Sequence, residues 1–180
     1  MCRISAVDPT TVTGPTRAVL DAVKVRFGMV PMMARTMAQS AAVVAGWAAL
    51  SGALAEGVLD ARTGELIALA VAQANACNYC LATHSALAEM VGLTTEERLE
   101  ARRGRATDPK EAAAIRLALT ILESRGAVSD DALVLARAAG LSDAELCEVT
   151  AHVALNVLTN YFNLLADTDI DFPKIDIRLP

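Results

Sequence analysis

Aromatic residues are scarce in this 180-residue chain, with one Trp, two Tyr and three Phe. Positive charge is short too: 16 Lys and Arg stand against 21 Asp and Glu, for a formal charge of -5. Together these remove the basic field and the stacking surfaces on which nucleic-acid binding depends, and the pull toward anionic lipid. The one basic cluster, Arg98 to Arg105, is interrupted by Glu100 and has no aromatic neighbour, so it reads as a solvated helix end. Sustained alternation of apolar and polar residues is absent, and β-branched runs are short, which argues against a sheet. The stretch 36–55 carries no charge and is long enough to ask about a membrane span. Alanine dominates it, Gln39, Ser40 and Ser51 interrupt it, and few large aliphatics could drive insertion. It reads as a buried helix or a subunit interface, and no membrane association is expected. Cysteines number four, and no Arg/Lys-led apolar leader or small-residue cleavage site follows Met1. We therefore expect a reducing cytoplasm, where a close thiol pair is more often catalytic, redox-active or metal-bound than a permanent staple.

What the chain does have is helix formers, and it reads as all-α. Its length suits one domain, residues 1–180, able to bury a full core unaided. A mean hydropathy of +0.39 exceeds what one small core hides, which points to a homo-oligomer. The pattern predicts helices over 16–27, 32–55, 61–75, 76–91, 95–103, 109–125, 130–139 and 143–166. Thr94 with Glu97 and Ser142 with Glu145 fit the capping-box spacing, and Ser129 or Asp130 can cap the helix between. Gly14, Gly28, Gly57, Gly92, Gly126 and Gly140 mark most of the breaks. Beyond Ala166 the periodicity stops, and 167–180 reads as an extended arm, either lying on a neighbouring subunit or mobile.

The chemistry concentrates in 75–87. Cys77, Cys80 and His84 fall at i, i+3 and i+7, on one face of a helix. Two thiols one turn apart can form a disulfide, and an imidazole a turn further can take a proton from the second. Asn75 is the candidate N-cap, which would set both thiols in the first turn, where the helix dipole favours thiolate. Glu65 would face away if the helix ran on, but a break at Asn75 lets it return to orient His84. As a carboxylate near a helix start it could equally be structural. A zinc site of Cys77, Cys80, His84 and Glu65 is a competing reading, although residues along one helix wrap a tetrahedral ion poorly. A third reading is an assembly module whose thiols are incidental. Glu148, His152, Asn156 and Asn160 form a polar stripe at four-residue spacing, read as a buried network or, in the alternative, as a pocket lining. Cys2 and Cys147 are expected as a terminal thiol and a small core residue, and Trp47, Met29, Met32, Met33 and Met37 as core or as the wall of an apolar pocket.

Glu65, Cys77-Asn-Tyr-Cys80 and His84, with Leu-Ala-Val-Ala-Gln-Ala-Asn before and Ser-Ala-Leu-Ala after, resemble the alkylhydroperoxidase D-like branch of the carboxymuconolactone decarboxylase family. The core motif spans 61–92, and similarity to a peroxidase-related subgroup continues through Asp108-Pro-Lys, Arg125-Gly126 and Ala151-His-Val-Ala-Leu-Asn to Asn160-Tyr-Phe-Asn. The resemblance implies a compact, multi-helix, alkylhydroperoxidase D-like oligomer (dimer, trimer or hexamer) with the Cys-x-x-Cys pair at a helix N-terminus. It implies a thiol peroxidase, with a general disulfide oxidoreductase of the same fold as the alternative: in the peroxidase Cys80 attacks a hydroperoxide, Cys77 resolves the sulfenic acid to a disulfide, and His84 with Glu65 relays the proton. It implies no resident cofactor or metal, and an external dithiol or lipoamide-type reductant. Tyr79, His152 and Asn156 are the substrate-pocket candidates. Alkylhydroperoxidase D carries a histidine where this chain has Tyr79, which cannot shuttle a proton in the same way near neutral pH. The decarboxylases that name the family lack the cysteine pair, which argues against lactone decarboxylation.

Overall fold

The computed structural model describes residues 2–179, and among them every regular element is a helix. In chain order these are α1 (Gly14–Phe27), α2 (Met32–Met37), α3 (Ala41–Ala55), α4 (Ala61–Ala74), α5 (Asn78–Met90), α6 (Thr95–Arg102), α7 (Pro109–Ser124), α8 (Asp130–Ala138) and α9 (Asp143–Ala166). Both capping boxes form, at Thr94 with Glu97 and at Ser142 with Glu145. Ser129 caps α8 through the Ala132 N–H.

Helix α4 is the central element, packed by α5, α6, α7 and α9. Its run Leu66, Ile67, Ala68, Leu69, Ala70, Val71 and Ala72 is buried on all sides, the behaviour of a helix apolar all round. Leu66 and Leu69 face one core with Trp47, Leu81 and Ile115, while Ile67 and Val71 face a second with Leu117, Leu141, Val149 and Val153. The alanines between let neighbouring helices approach closely.

Three expectations are corrected. The helix expected over 32–55 is two, because Ser40 leaves the helical conformation and its hydroxyl accepts the Val43 N–H to start α3. Asn75 ends α4 rather than capping α5, and the cap is Cys77. The arm lies on its own chain: Ile170, Phe172, Ile175 and Ile177 pack on the first core. Buried Arg102 donates to the Asp176 and Ile177 carbonyls at 2.8 and 3.0 Å and to Gln73 Oε1 at 2.8 Å. Pro180, the end of the expected arm, lies outside the described residues. No helix among those described is long and apolar enough to cross a membrane.

Candidate active site

The site is built on the junction of α4 and α5. The Cys77 N–H bonds the Ala72 carbonyl and the Ala76 N–H bonds the Gln73 carbonyl, the paired bonds of a Schellman turn. Ala76 takes the left-handed position at φ 53°, which glycine more commonly holds. This sharp stop turns the chain so that α5 restarts beside α4 instead of continuing it. Cys77 then caps α5, its Sγ accepting the Cys80 N–H at 3.2 Å, and Cys80 sits in the first turn. The two sulfurs are joined as a disulfide, with Cα atoms 5.3 Å apart. Once reduced, the unpaired N–H groups and the dipole of this turn favour a thiolate over a thiol.

The same turn brings Glu65 and His84 together, with Nδ1 and Oε2 2.8 Å apart. A carboxylate on Nδ1 selects the tautomer with its proton there, leaving Nε2 to take up or release one. Both residues line a cavity of about 190 Å³, and so does Cys80. Cys77 is not on its lining. Much of the remaining lining is apolar: Phe27 stacks on Trp47 at 6.3 Å between ring centroids, and Met33, Leu54 and Phe172 also contribute. Of the methionines considered from sequence, Met33 reaches the cavity and Met37 is core.

Tyr79, His152 and Asn156 also line the cavity, in different ways. The buried Tyr79 hydroxyl donates to Asp171 Oδ1 at 2.9 Å and accepts the Met33 N–H at 3.2 Å. Burial, reinforced by the Asp171 charge, pushes the phenol well above its ordinary range, so it stays protonated. The Asp171 carboxylate also accepts the Met32 N–H. Tyr79 is thus a fastener between α5, α2 and the arm. Burial depresses the His152 imidazole, favouring its neutral form, and its Nε2 is buried without a partner. The Asn156 amide donates to the His152 carbonyl at 2.9 Å. The polar stripe on α9 therefore divides. Glu148 accepts the Val58 and Leu59 N–H groups and Asn160 accepts from Asn75 Nδ2, both structural, while the middle of the stripe faces the cavity.

Sequence reasoning missed Asn163, whose Nδ2 lies 3.5 Å from Cys80 Sγ. Its spacing of seven from Asn156 put it on the striped face, and that was the available signal. Cys147 is exposed rather than a core residue, a correction, because its position on α9 faces away from both cores. Among the described residues no three His, Cys, Asp or Glu side chains converge as metal ligands would.

Residues 41–124, which hold Glu65, both cysteines and His84, match the model of the carboxymuconolactone decarboxylase family. No curated protein matches the chain. A peroxidase-related protein from Ralstonia eutropha JMP134, an alkylhydroperoxidase D core, is similar in structure with a TM-score of 0.85 at 20% identity, over 94% of this chain and 92% of that one. A peroxidase-related protein from Silicibacter sp. TM1040 gives 0.78 at 18%, over 92% and 91%. The debrominase Bmp8, solved with 2,3,4-tribromopyrrole, gives 0.79 at 16%, over 93% and 91%. The fold is that of the alkylhydroperoxidase D core. The likeness to the carboxymuconolactone decarboxylase family lies in residues 41–124, and the likeness to alkylhydroperoxidase D core proteins is one of fold.

Proposed function

We propose that the protein is a thiol-dependent peroxidase acting on organic hydroperoxides. The observation that carries this reading is the placement of Cys80 on the wall of a cavity it shares with the paired Glu65 and His84, with Cys77 held at bonding distance off that wall. The Cys80 thiolate attacks the terminal peroxide oxygen, the O–O bond breaks, and Cys80 becomes a sulfenic acid. His84, oriented by Glu65, delivers the proton that the departing alkoxide takes up. Cys77 displaces water from the sulfenic acid to form the disulfide, and an external dithiol, of lipoamide type or another, returns both thiols by exchange. The apolar wall of Phe27, Trp47 and Phe172 suits the carbon body of such a substrate.

A free-thiol count with peptide mapping, before and after one equivalent of an organic hydroperoxide, tests it. Loss of two thiols with a Cys77–Cys80 link is the expected result, and retention of both overturns it. In Cys77→Ser a sulfenic-acid probe should label Cys80, and in Cys80→Ser it should label nothing; the reverse pattern exchanges their roles.

The likeness to a debrominase, together with the apolar cavity, supports a second reading: the reduced pair supplies two electrons, the carbon–bromine bond breaks to release bromide, the carbon takes up a proton to form a carbon–hydrogen bond, and the two thiols close the same disulfide. Bromide release from a brominated pyrrole by the reduced protein separates the two. A homo-oligomer working in a reducing cytoplasm fits either reading, since α9 leaves Leu158, Tyr161 and Leu165 exposed on one side. Light scattering on the purified protein checks the first half of that statement.

A further inference from the structure

The cavity wall contributed by α9 carries Thr159 and Asn156, whose side-chain donors are already committed to the backbone carbonyls of Asn156 and His152. Asn163 is different. Its side chain is 3% exposed, it lines the cavity, its Nδ2 points to Cys80 Sγ at 3.5 Å, and its Oδ1 is buried with no partner. An acceptor left bare in a low-dielectric site is costly unless something that visits the site satisfies it. A hydroperoxide carries one O–H, on the oxygen that a thiolate attacks.

Building on the peroxidase reading, we propose that Asn163 is a further catalytic residue whose carboxamide holds both reactants, donating from Nδ2 to the Cys80 thiolate and accepting the hydroperoxide O–H at Oδ1. The two ends of one planar amide lie side by side, so an O–H bound at Oδ1 sets its oxygen next to the sulfur. Attack forms the S–O bond and breaks the O–O bond. The O–H passes to the sulfenic acid with its oxygen, and the alkoxide leaves to be protonated by His84. The amide gains and loses nothing. It holds the geometry and stabilises the anionic sulfur before attack.

The test uses Cys77→Ser protein, in which Cys80 cannot be lost to the disulfide, alone and with Asn163→Leu or Asn163→Asp. Thiolate absorbance against pH reads the sulfur contact. Reaction rates with an organic hydroperoxide and with methyl methanethiosulfonate, which has no O–H, read the second contact. The parent protein should titrate below the ordinary cysteine value of about 8.5. Asn163→Leu should raise the midpoint by about one pH unit, and Asn163→Asp by more, because it sets a like charge beside the thiolate. At a pH where Cys80 is fully ionised in all of them, the methanethiosulfonate rates should converge. The hydroperoxide rate of Asn163→Leu should stay roughly tenfold low, the loss expected when one hydrogen bond to the reacting group is removed.

A parent midpoint at or above the ordinary value overturns the sulfur contact without needing either variant to fold. Equal hydroperoxide-to-methanethiosulfonate ratios in parent and Asn163→Leu overturn the substrate contact. If the parent is inert to hydroperoxide while its thiol still responds to Asn163→Leu, the peroxidase reading and the substrate contact fall and the sulfur contact stands.

Discussion

His84 Nδ1 lies 2.8 Å from Glu65 Oε2 although the two residues are 19 apart on different helices. A continuous helix from 61 would have kept them on different faces, so the pair exists because Ala76 stops α4 with a left-handed turn. His84→Gln should slow hydroperoxide-driven oxidation of Cys80 by about a hundredfold, the usual contribution of a positioned acid or base. Glu65→Gln should cost less, since the imidazole remains and only its orientation and tautomer are loosened. Stopped-flow oxidation of the reduced protein across pH measures both. An unchanged rate and pH profile in His84→Gln removes the imidazole from the reaction.

Tyr79 stands inside the cysteine motif, where a proton-transfer role invites attention, but its hydroxyl is committed to Asp171 and to the Met33 N–H. Tyr79→Phe should leave the hydroperoxide rate changed by far less than the ~100-fold a relay residue contributes. It should instead destabilise the fold by about 1–3 kcal/mol, because the Met33 N–H loses its acceptor. Asp171→Ala should free the arm, seen as faster proteolysis within 167–179. Urea titration and limited proteolysis check these outcomes. A hundredfold loss of rate in Tyr79→Phe would instead make the phenol part of the chemistry.

The parts of the fold that were legible in the sequence are those whose cause is local. Thr94 reaches Glu97 and Ser142 reaches Glu145 within a single turn, so spacing alone located both helix starts. The thiol helix was legible as an element but not at its start. Asparagine tolerates the left-handed region better than alanine and is a better cap than cysteine, yet here Ala76 and Cys77 take those positions because the buried α4 and α5 must pack side by side. Asn163 was illegible as a partner of Cys80 because the contact spans 83 residues, and helical period fixes a face but not what lies opposite. The arm was misread for the same reason. Nothing local announces that the buried Arg102 awaits its carbonyls.

Two carboxylates that do not line the cavity set how stability responds to acid. Glu97 is held at about 2 by the Arg62 guanidinium and by the Thr94 cap, and Glu145 at about 2 by Lys110 and the Ser142 cap, against an ordinary 4.5. Their folded values lie below their unfolded ones. Their contribution is therefore fully present above about pH 4.5 and is lost as pH falls toward 2. Both lie at the surface, half-buried, with Glu97 33% and Glu145 12% exposed, so solvent screening still moderates each contribution. The urea midpoint should fall between pH 5 and pH 3, in the window these shifts define. In Glu97→Gln with Glu145→Gln it should start lower and fall less. Parallel pH profiles for the two proteins would assign the acid sensitivity to other groups.

Gly57 and Glu148 give a test of packing that the chemistry does not touch. A Cβ on Gly57 would lie 2.6 Å from both Glu148 carboxylate oxygens, and those oxygens bind the Val58 and Leu59 N–H groups at 2.7 and 2.8 Å. Gly57 does not occupy the left-handed region, so its backbone conformation tolerates alanine. The three nearest atoms the methyl would meet all belong to that carboxylate. Gly57→Ala should therefore cost about 1–3 kcal/mol by driving Glu148 off the two N–H groups, and Glu148→Ala should cost a similar amount by removing their acceptor. In the double variant the clash is gone before the methyl arrives. Gly57→Ala should then be neutral, or should stabilise by about 0.5 kcal/mol through the lower entropy of the unfolded chain. Denaturant unfolding of the four proteins gives the cycle, and the coupling should be about as large as either single loss. Strictly additive costs would mean that the loop between α3 and α4 yields to the methyl without Glu148 moving.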